Sequence, residues 1–247
     1  MKQSVCVFVS LVLMVLFCVP VFGQPSSRSV ETISIDNFDT ADEKDWTWAT
    51  QASRFVTGGY PKMSYFDGIP SSMAYLRKEG TEPKVLGVKA VFDRKGDNWF
   101  EVYPSVTNDK GETVNYEIPF VGLVSQVDFW VWGANYLYFL EILVRDAEGR
   151  VHVLPACDMG FEGWRNVVVN IPTYIRQQSR LRSGPETMSF VGFRVRTDPN
   201  EFVDDFVIYF DDLKYTTNVL KNIYDGYELR KLDFGGSASQ DLKAGEK

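Results

Sequence analysis

Apolar and polar residues alternate along most of the chain between residues 33 and 216. In the segment Ile33-Ser34-Ile35-Asp36 every second residue is apolar, which is the period of a half-buried β-strand. The same pattern predicts further strands at residues 85–93, 99–107, 113–119, 124–132, 136–145, 150–156, 164–171, 189–197 and 205–216. Strands therefore dominate the predicted structure.

The segments between these strands predict how they are joined. Residues 108–111 and 146–149 each end in a glycine, Gly111 and Gly149, which tolerates the positive φ of a hairpin turn. Only residues 172–181 predict a helical turn, and no strand–helix alternation suggests a parallel nucleotide-binding sheet. The pattern thus predicts an all-β fold, a jelly-roll-like antiparallel β-sandwich with a short helical turn and a flexible C-terminal tail.

The two ends of the chain differ in composition from this predicted domain. Lys2, the apolar run at residues 5–19 and the small residues before position 24 predict a signal peptide, 1–23, cleaved after Gly23. A polar leader, 24–32, the sandwich, 33–218, and a C-terminal extension, 219–247, flexible at its Gly- and Ser-rich end, complete the predicted organisation. No second apolar run approaches the roughly 20 residues that span a bilayer, so no membrane insertion is expected after cleavage.

Charge and cysteine content narrow the class of protein. The formal charge of the whole chain is −7, and the predicted mature chain is more acidic by the loss of Lys2. An acidic surface argues against sequence-independent nucleic-acid binding, which depends on basic residues that displace counterions. Cys6 and Cys18 lie in the predicted signal, so Cys157 is left without an intramolecular partner. These features predict a periplasmic protein stabilised by a large core rather than by disulfides.

The residue types in the sequence give little support for a catalytic site. His152 is the only histidine, and Cys157 lies five positions away, on the opposite face of a straight strand. A zinc site needs three or four ligands, and a serine nucleophile needs a base that the sequence scarcely provides. Glycoside hydrolysis needs only two carboxylates, and 33 acidic residues make chance pairs uninformative. We therefore expect a protein that is not an enzyme and has no cofactor or metal.

Acidic residues cluster near the first and the last predicted strand. If terminal strands are neighbours, as is frequent in jelly rolls, these oxygens could converge on a calcium ion. The alternative, which spacing favours, is that they cap turns and face solvent. The residues concerned are Asp36, Asp39, Asp204, Asp205, Asp211 and Asp212.

Aromatic residues are concentrated between positions 129 and 139. Alternation puts Trp130 and Trp132 on one face of the strand and the intervening residues on the other. If that face is open, Trp130, Trp132, Tyr136 and Tyr138 form a platform for sugar rings or for a partner protein; otherwise both faces are buried. A further tryptophan, Trp164, is predicted to lie in the core.

A basic segment interrupts this acidic sequence. Arg176, Arg180 and Arg182 lie within seven residues. The segment is either a docking patch for an acidic neighbour, including a second copy of the chain, or a solvated loop.

Several segments resemble known families. Residues 33–39, followed by Trp46 and Trp48, and residues 207–214 resemble the first and last strands of carbohydrate-binding-module-like jelly rolls. Residues 163–177, beginning Gly163-Trp164-Arg165-Asn166, together with 190–199, resemble the FlaA family of outer-layer or sheath proteins of spirochaete periplasmic flagellar filaments. The FlaA resemblance covers most of residues 33–217.

This resemblance implies a noncatalytic structural subunit that supports cell motility. Its expected partners are the flagellin core filament and other sheath subunits, and its expected location is the periplasmic flagellum. The alternative function is that of a periplasmic carbohydrate-binding module in which Trp130, Trp132, Tyr136 and Tyr138 stack on sugar rings.

Overall fold

Residues 28–39, 44–76, 82–179 and 187–220 are described by the structure, a computed structural model, and they form thirteen β-strands. The described part also contains a short 3₁₀ helix, Ser71–Leu76. The strands are β1 Arg28–Asp36, β2 Thr47–Ala52, β3 Lys62–Asp67, β4 Lys84–Ala90, β5 Trp99–Thr107, β6 Thr113–Asn115, β7 Ile118–Pro119, β8 Leu123–Ala134, β9 Tyr138–Arg145, β10 Val151–Asp158, β11 Glu162–Asn170, β12 Ser189–Thr197 and β13 Phe206–Leu220.

These strands are arranged in two sheets. Sheet A has the order β11-β8-β13-β4-β3, and β1 also pairs with β13. Sheet B has the order β10-β9-β12-β5-β2, with β6 beside β5 and β7 beside β12. Neighbouring strands along both orders are antiparallel, for example β8 with β11 and β9 with β12. The predicted antiparallel β-sandwich is therefore confirmed, and its first and last strands are neighbours.

Phe193 of β12 lies at the centre of the core between the sheets. Its ring stacks on Phe210 of sheet A with centroids 4.5 Å apart and meets the edge of Phe129, also of sheet A, at 5.0 Å. Within sheet B the same ring contacts Phe190 at 5.3 Å and Trp48 at 6.0 Å. All five side chains are buried, so this ring cluster joins the inner faces of both sheets.

Asp36, at the end of β1, links the sheets by a polar contact. One carboxylate oxygen accepts the indole N–H of Trp48 at 2.8 Å, and the other accepts the backbone N–H of Phe38 at 2.6 Å. Lys44 pairs with the same buried carboxylate. Phe38 is buried at a φ of 60°, a conformation unfavourable for a residue with a side chain, and the Asp36 bond holds it there. A buried carboxylate is tolerated here because it is paired and hydrogen-bonded.

Both predicted hairpins are present. In the turn between β5 and β6, the Gly111 N–H donates to the carbonyl of Asn108 at 2.9 Å, and the φ of Gly111 is 80°. In the turn between β9 and β10, the Gly149 N–H donates to the backbone carbonyl of Asp146 at 3.0 Å, and the φ of Gly149 is 91°. Glycine is required at both positions because other residues adopt this backbone conformation only with strain.

All ten strands predicted from alternation are present, with shifted boundaries. The segment 113–119 divides into β6 and β7, and β1 already begins at Arg28, inside the predicted leader. Two strands, β2 and β3, were not predicted. In β3 the inward residues Met63 and Tyr65 alternate with the outward residues Lys62, Ser64 and Phe66. Because Phe66 is apolar, the outward positions are not all polar, and the alternation is obscured.

The helical turn predicted at residues 172–181 is a single short turn in the part of this segment that the structure describes, residues 172–179. The turn is closed by the Ile175 N–H and the carbonyl of Pro172, 3.1 Å apart. Ile175 inserts into the core, and the Gln177 amide bonds both backbone groups of Val124, at 2.7 and 2.8 Å. These contacts hold the segment against β8. The chain therefore does not continue as a helix after this turn.

The predicted placement of Trp164 in the core is wrong. Trp164 pairs with Trp132 on the outer face of sheet A, whereas Val167 and Val169 are buried on its inner face. The position numbers 164 and 167 differ by three, an odd number, so the strand period itself puts the two residues on opposite faces.

Residues Ser29–Val219 form one compact unit. The predicted signal peptide, the first residues of the leader and the extension beyond residue 220 lie outside the described residues. Among the described residues, no helix has the length and apolar character required to cross a membrane.

The ring cluster leads to a stability prediction. Phe193→Ala should lower the free energy of unfolding by about 3–5 kcal/mol, because it removes a buried ring and leaves a cavity between the sheets. Trp164→Ala removes a larger ring from the outer face and should cost less. Urea unfolding of both variants checks this order, and equal losses would contradict the assignment of the two rings to different environments.

Candidate assembly surface

Trp130 and Trp132 share one face of β8, as alternation predicted, and this is the outer face of sheet A. Phe129, which precedes Trp130, and Val131, which lies between the two tryptophans, are fully buried on the inner face. Trp132 is paired with Trp164 of β11 on one side and with Tyr209 of β13 on the other. Trp130 is paired with Asn166 and Asp211. The two tryptophans are half-buried, so part of each ring remains accessible from solvent.

The row of residues through Trp132 continues across sheet A as an aromatic surface. The Trp132 and Tyr209 rings meet edge to face at 5.5 Å, and the Tyr209 and Phe66 rings meet edge to face at 5.7 Å. Phe66, on the terminal strand β3, is 48% exposed. We name this surface the aromatic face; its residues are Phe66, Trp130, Trp132, Trp164 and Tyr209.

Gly87 of β4 makes the close approach of these rings possible. A Cβ atom at this position would lie 2.7 Å from carbon atoms of both Phe66 and Tyr209, closer than packed carbon atoms allow. Because glycine has no Cβ, the rings on either side lean over β4 and meet above it, where they border a groove. The groove has a volume of about 310 Å³ and is lined mostly by apolar atoms, with Met63, Val88 and Val207 among its lining residues.

Two lysines, Lys62 and Lys89, line the same groove from paired positions on β3 and β4. Lys89 forms an ion pair with Asp205 at 2.7 Å, and this hydrogen bond and charge raise the pKa of Lys89. The Lys62 ammonium lies over the ring of Tyr60 at 4.9 Å. The groove thus combines an apolar lining with two lysine side chains.

Tyr136 and Tyr138 do not belong to this surface, so the predicted four-residue platform needs correction. Tyr138 is fully buried, stacks on Phe206 at 4.4 Å and donates its hydroxyl to the carbonyl of Phe202 at 2.7 Å. The Tyr136 hydroxyl donates to the carbonyl of Asp204 at 2.8 Å. Burial raises the pKa of both tyrosines. Asn135, at a φ of 60°, lies between β8 and β9, so the alternation of β8 does not continue into the tyrosines.

Of the basic segment, the structure describes Arg176, whereas Arg180 and Arg182 lie outside the described residues. The Arg176 guanidinium pairs with Glu148 of the β9–β10 turn at 2.8 Å, and its carbonyl accepts the Ala147 N–H at 2.8 Å. The start of the segment is therefore held against this turn. The Arg176 side chain is nonetheless 65% exposed, so its guanidinium is also accessible from solvent.

The remaining candidate groups have partners within the sandwich. Burial raises the pKa of the Cys157 thiol to about 11, which keeps it protonated and unreactive at neutral pH. His152 contacts Asp146 at 2.6 Å instead of Cys157. Asp39 accepts the Lys84 N–H at 2.9 Å, and Asp205 pairs with Lys89. No group of three or more His, Cys, Asp or Glu residues suited to a metal ion occurs in the described part of the chain.

Sequence reasoning missed three residues of the site, Phe66, Gly87 and Tyr209. Tyr209 lies in a predicted strand, and its outward direction follows from the buried neighbours Ile208 and Phe210. Strand pairing brings Phe66, Gly87 and Tyr209 together from three separate strands, and that pairing is not encoded in local alternation.

Comparison with known proteins assigns the chain to a family. Residues 29–224 match the sequence profile of the flagellar filament outer layer protein FlaA. The chain belongs to the FlaA family. It is 28% identical over 200 residues to a flagellar filament outer layer-like protein of Brachyspira hyodysenteriae, covering 80% of this chain and 84% of that protein. The FlaA resemblance of residues 163–199 is therefore confirmed.

A second FlaA relative matches over a shorter stretch. The flagellar filament outer layer protein of Treponema pallidum is 32% identical over 116 residues, which cover 42% of this chain and 33% of that protein. Two solved structures are similar in fold. A family 11 carbohydrate-binding module of Clostridium thermocellum has a TM-score of 0.42 at 10% identity, covering 79% of this chain and 99% of that one. A family 61 module in complex with β-1,4-galactotriose has a TM-score of 0.40 at 13% identity, covering 75% and 98%.

Asp146, at the start of the turn that holds Arg176, has a lowered pKa. Burial by itself would raise the pKa of Asp146. The hydrogen bond with His152 and those from the backbone amides of Arg150 and Glu148, both 2.9 Å, outweigh burial and leave the pKa below its ordinary value. The folded chain therefore favours the ionised carboxylate.

This shift predicts how stability depends on pH. As pH falls below the ordinary value of 3.8, the unfolded chain takes up a proton at Asp146 before the folded chain does, so the free energy of unfolding declines. The Asp146→Asn variant lacks this proton uptake, and its stability should depend less on pH in that range. Urea unfolding of both proteins at neutral and acidic pH tests this expectation. A stability difference that stays constant into strong acid would contradict it.

Proposed function

We propose that this chain is a noncatalytic structural subunit of the outer layer of a periplasmic flagellar filament, where it supports cell motility. Membership of the FlaA family supports association with the filament. The proposed partners are the flagellin core filament and other subunits of the outer layer, whether copies of this chain or related chains. The observation that carries the proposal at the level of residues is the aromatic face.

The aromatic face has the composition of a protein interface rather than of an ordinary surface. Interface centres are enriched in Tyr, Trp and Phe and depleted in charged residues, and this face contributes all three residue types in one contiguous area. The groove that Phe66 and Tyr209 border can receive an apolar side chain from a neighbouring subunit. Anchors of this kind supply most of the binding energy at interfaces.

A filament layer also requires a contact between unlike surfaces. A heterologous contact, repeated with a rotation that does not close, generates a helical array. In a heterologous contact the partner surface on a neighbouring copy is a different part of the chain from the aromatic face. We propose the basic segment that begins at Arg176 and contains Arg180 and Arg182 as a second contact, which orients an acidic neighbour. Exposed ion pairs contribute only about 0–1 kcal/mol each, so the aromatic face supplies most of the affinity.

The alternative function, a periplasmic carbohydrate-binding module that uses Trp130, Trp132, Tyr136 and Tyr138, is less well supported. Tyr138 is buried in the core, and the hydroxyl of Tyr136 is bonded to Asp204. The four rings therefore do not form one accessible platform. Retention of the purified protein on a glycan column through Trp130 and Trp132, without association with flagella, would support that alternative.

A charge placed on the aromatic face should prevent incorporation into filaments. Phe66→Glu replaces a half-exposed ring, so the subunit should fold normally and lose about 2 kcal/mol or more of binding free energy. Val114→Glu is the matched control, because Val114 is 38% exposed on β6 of the other sheet and receives the same charge. Imaging of filaments from cells that carry each variant, with gene-deleted cells as reference, measures the outer layer.

The expected images distinguish the outcomes. Gene-deleted cells should lack an outer density layer, Phe66→Glu cells should resemble them, and Val114→Glu cells should resemble wild type. A normal layer in Phe66→Glu cells would remove the aromatic face from the interface. An unchanged layer in gene-deleted cells would overturn the proposed function itself.

A further inference from the structure

The outer face of sheet B carries a different kind of surface from that of sheet A. Antiparallel pairing places Gln51 of β2 opposite Glu101 of β5, Glu101 opposite Arg194 of β12, and Arg194 opposite Glu141 of β9. We name these four residues the polar row. Three spacings of about 4.8 Å between strands make the row about 14 Å long, the scale of a short oligosaccharide.

Hydrogen bonds fix the side chains of the polar row. One oxygen of Glu101 accepts the Arg194 Nε–H at 2.7 Å and lies 2.6 Å from a terminal nitrogen of the same guanidinium. The other oxygen of Glu101 accepts the amide N–H of Gln51. Glu141 accepts the Nε–H of Arg196 at 2.8 Å. Charge-assisted bonds of this type hold the carboxylates and guanidiniums in place before a ligand arrives.

A second row beside the polar row adds two aromatic rings. Trp99 of β5 is paired with Arg196 of β12, and Arg196 is paired with Phe139 of β9. The Arg194 guanidinium lies 5.9 Å from the Trp99 ring, and the Arg196 guanidinium lies 5.6 Å from the Phe139 ring. Each guanidinium is thus positioned by a carboxylate and by an aromatic ring at the same time.

Stability alone does not explain this arrangement. The side chains of Glu101 and Glu141 are 8% and 10% exposed, so both carboxylates lose most of their hydration on folding. Ion pairs with desolvated carboxylates often stabilise a protein no more than apolar residues of similar size. Moreover, the oxygen Oε2 of Glu141 is buried and has no hydrogen-bond partner among the described residues. A ligand that donates a hydrogen bond would offset this cost.

The charges of the surface indicate what kind of ligand fits. Two carboxylates and two guanidiniums cancel, so neither a simple anion nor a cation gains from a net charge. A hydroxyl group can donate to Glu141 and accept from Arg194, Arg196 or Gln51, so it suits a mixed row. The apolar face of a sugar ring can stack on Trp99 or Phe139. We propose that the outer face of sheet B binds a neutral oligosaccharide.

In this site Arg196, 47% exposed, lies at the solvent side, and Glu141 lies beneath it. An entering sugar hydroxyl would displace part of the Arg196 head group and donate to Glu141. The site is separate from the aromatic face of sheet A and does not depend on the proposed role in the filament. It would let the subunit recognise a glycan on a neighbouring macromolecule.

The test is direct titration of the processed protein, purified from cells, with defined oligosaccharides. The panel contains neutral tetrasaccharides of glucose, mannose, galactose and N-acetylglucosamine, with a tetrasaccharide of galacturonate as the charged comparator. Tryptophan fluorescence and calorimetry measure binding. At least one neutral oligosaccharide should bind saturably at millimolar concentration or below, and Glu141→Gln and Arg196→Ala should each raise its Kd about tenfold or more.

Glu117→Gln is the matched control, because Glu117 pairs with Arg145 of β9 at 2.7 Å and belongs to neither row. Its Kd should equal that of wild type, and the melting temperatures of all variants identify any that are misfolded. Absence of saturable binding to every neutral oligosaccharide would overturn the proposal. So would binding confined to the galacturonate oligosaccharide, or binding that folded Glu141→Gln and Arg196→Ala variants retain in full.

Discussion

The contact between the inner faces of the two sheets, centred on the ring of Phe193, constrains everything else in this molecule. A strand has two faces, and the core occupies one face of the central strands of both sheets. Because Phe129 and Val131 fill the space beneath β8, Trp130 and Trp132 must lie outside. The core thus determines which aromatic side chains remain available for contact with other molecules.

The sequence predicted the strands well wherever alternation is strong, and it placed Trp130 and Trp132 on one face of their strand while leaving open whether that face is exposed. It failed at a turn that ends a strand and where the contact of distant segments decides the arrangement. Tyr138 is inward because the chain turns at Asn135 before β9, and β3 was missed because Phe66 makes its outer side apolar. The groove required the register of β3, β4 and β13, which brings together rings that are more than a hundred residues apart in sequence.

The two outer faces differ in chemistry, which suggests different partners. On sheet A the absence of a side chain at Gly87 lets aromatic rings converge on an apolar groove. On sheet B carboxylates and guanidiniums alternate across paired strands, beside Trp99 and Phe139. The first surface gains free energy by excluding water, and the second by exchanging hydrogen bonds. A subunit with both can be packed into an assembly through one sheet while the other sheet remains free for a polar ligand.

The central claim is that the aromatic face of sheet A is covered when the subunit joins a filament. Hydroxyl-radical footprinting measures this directly by comparing the oxidation of individual tryptophans in the free subunit and in purified filaments. Trp132 and Trp164 should become protected in filaments, whereas Trp99, which is half-buried on the outer face of sheet B, should keep its reactivity. Equal oxidation of Trp132 and Trp164 in both states, or protection of Trp99 alone, would contradict the claim.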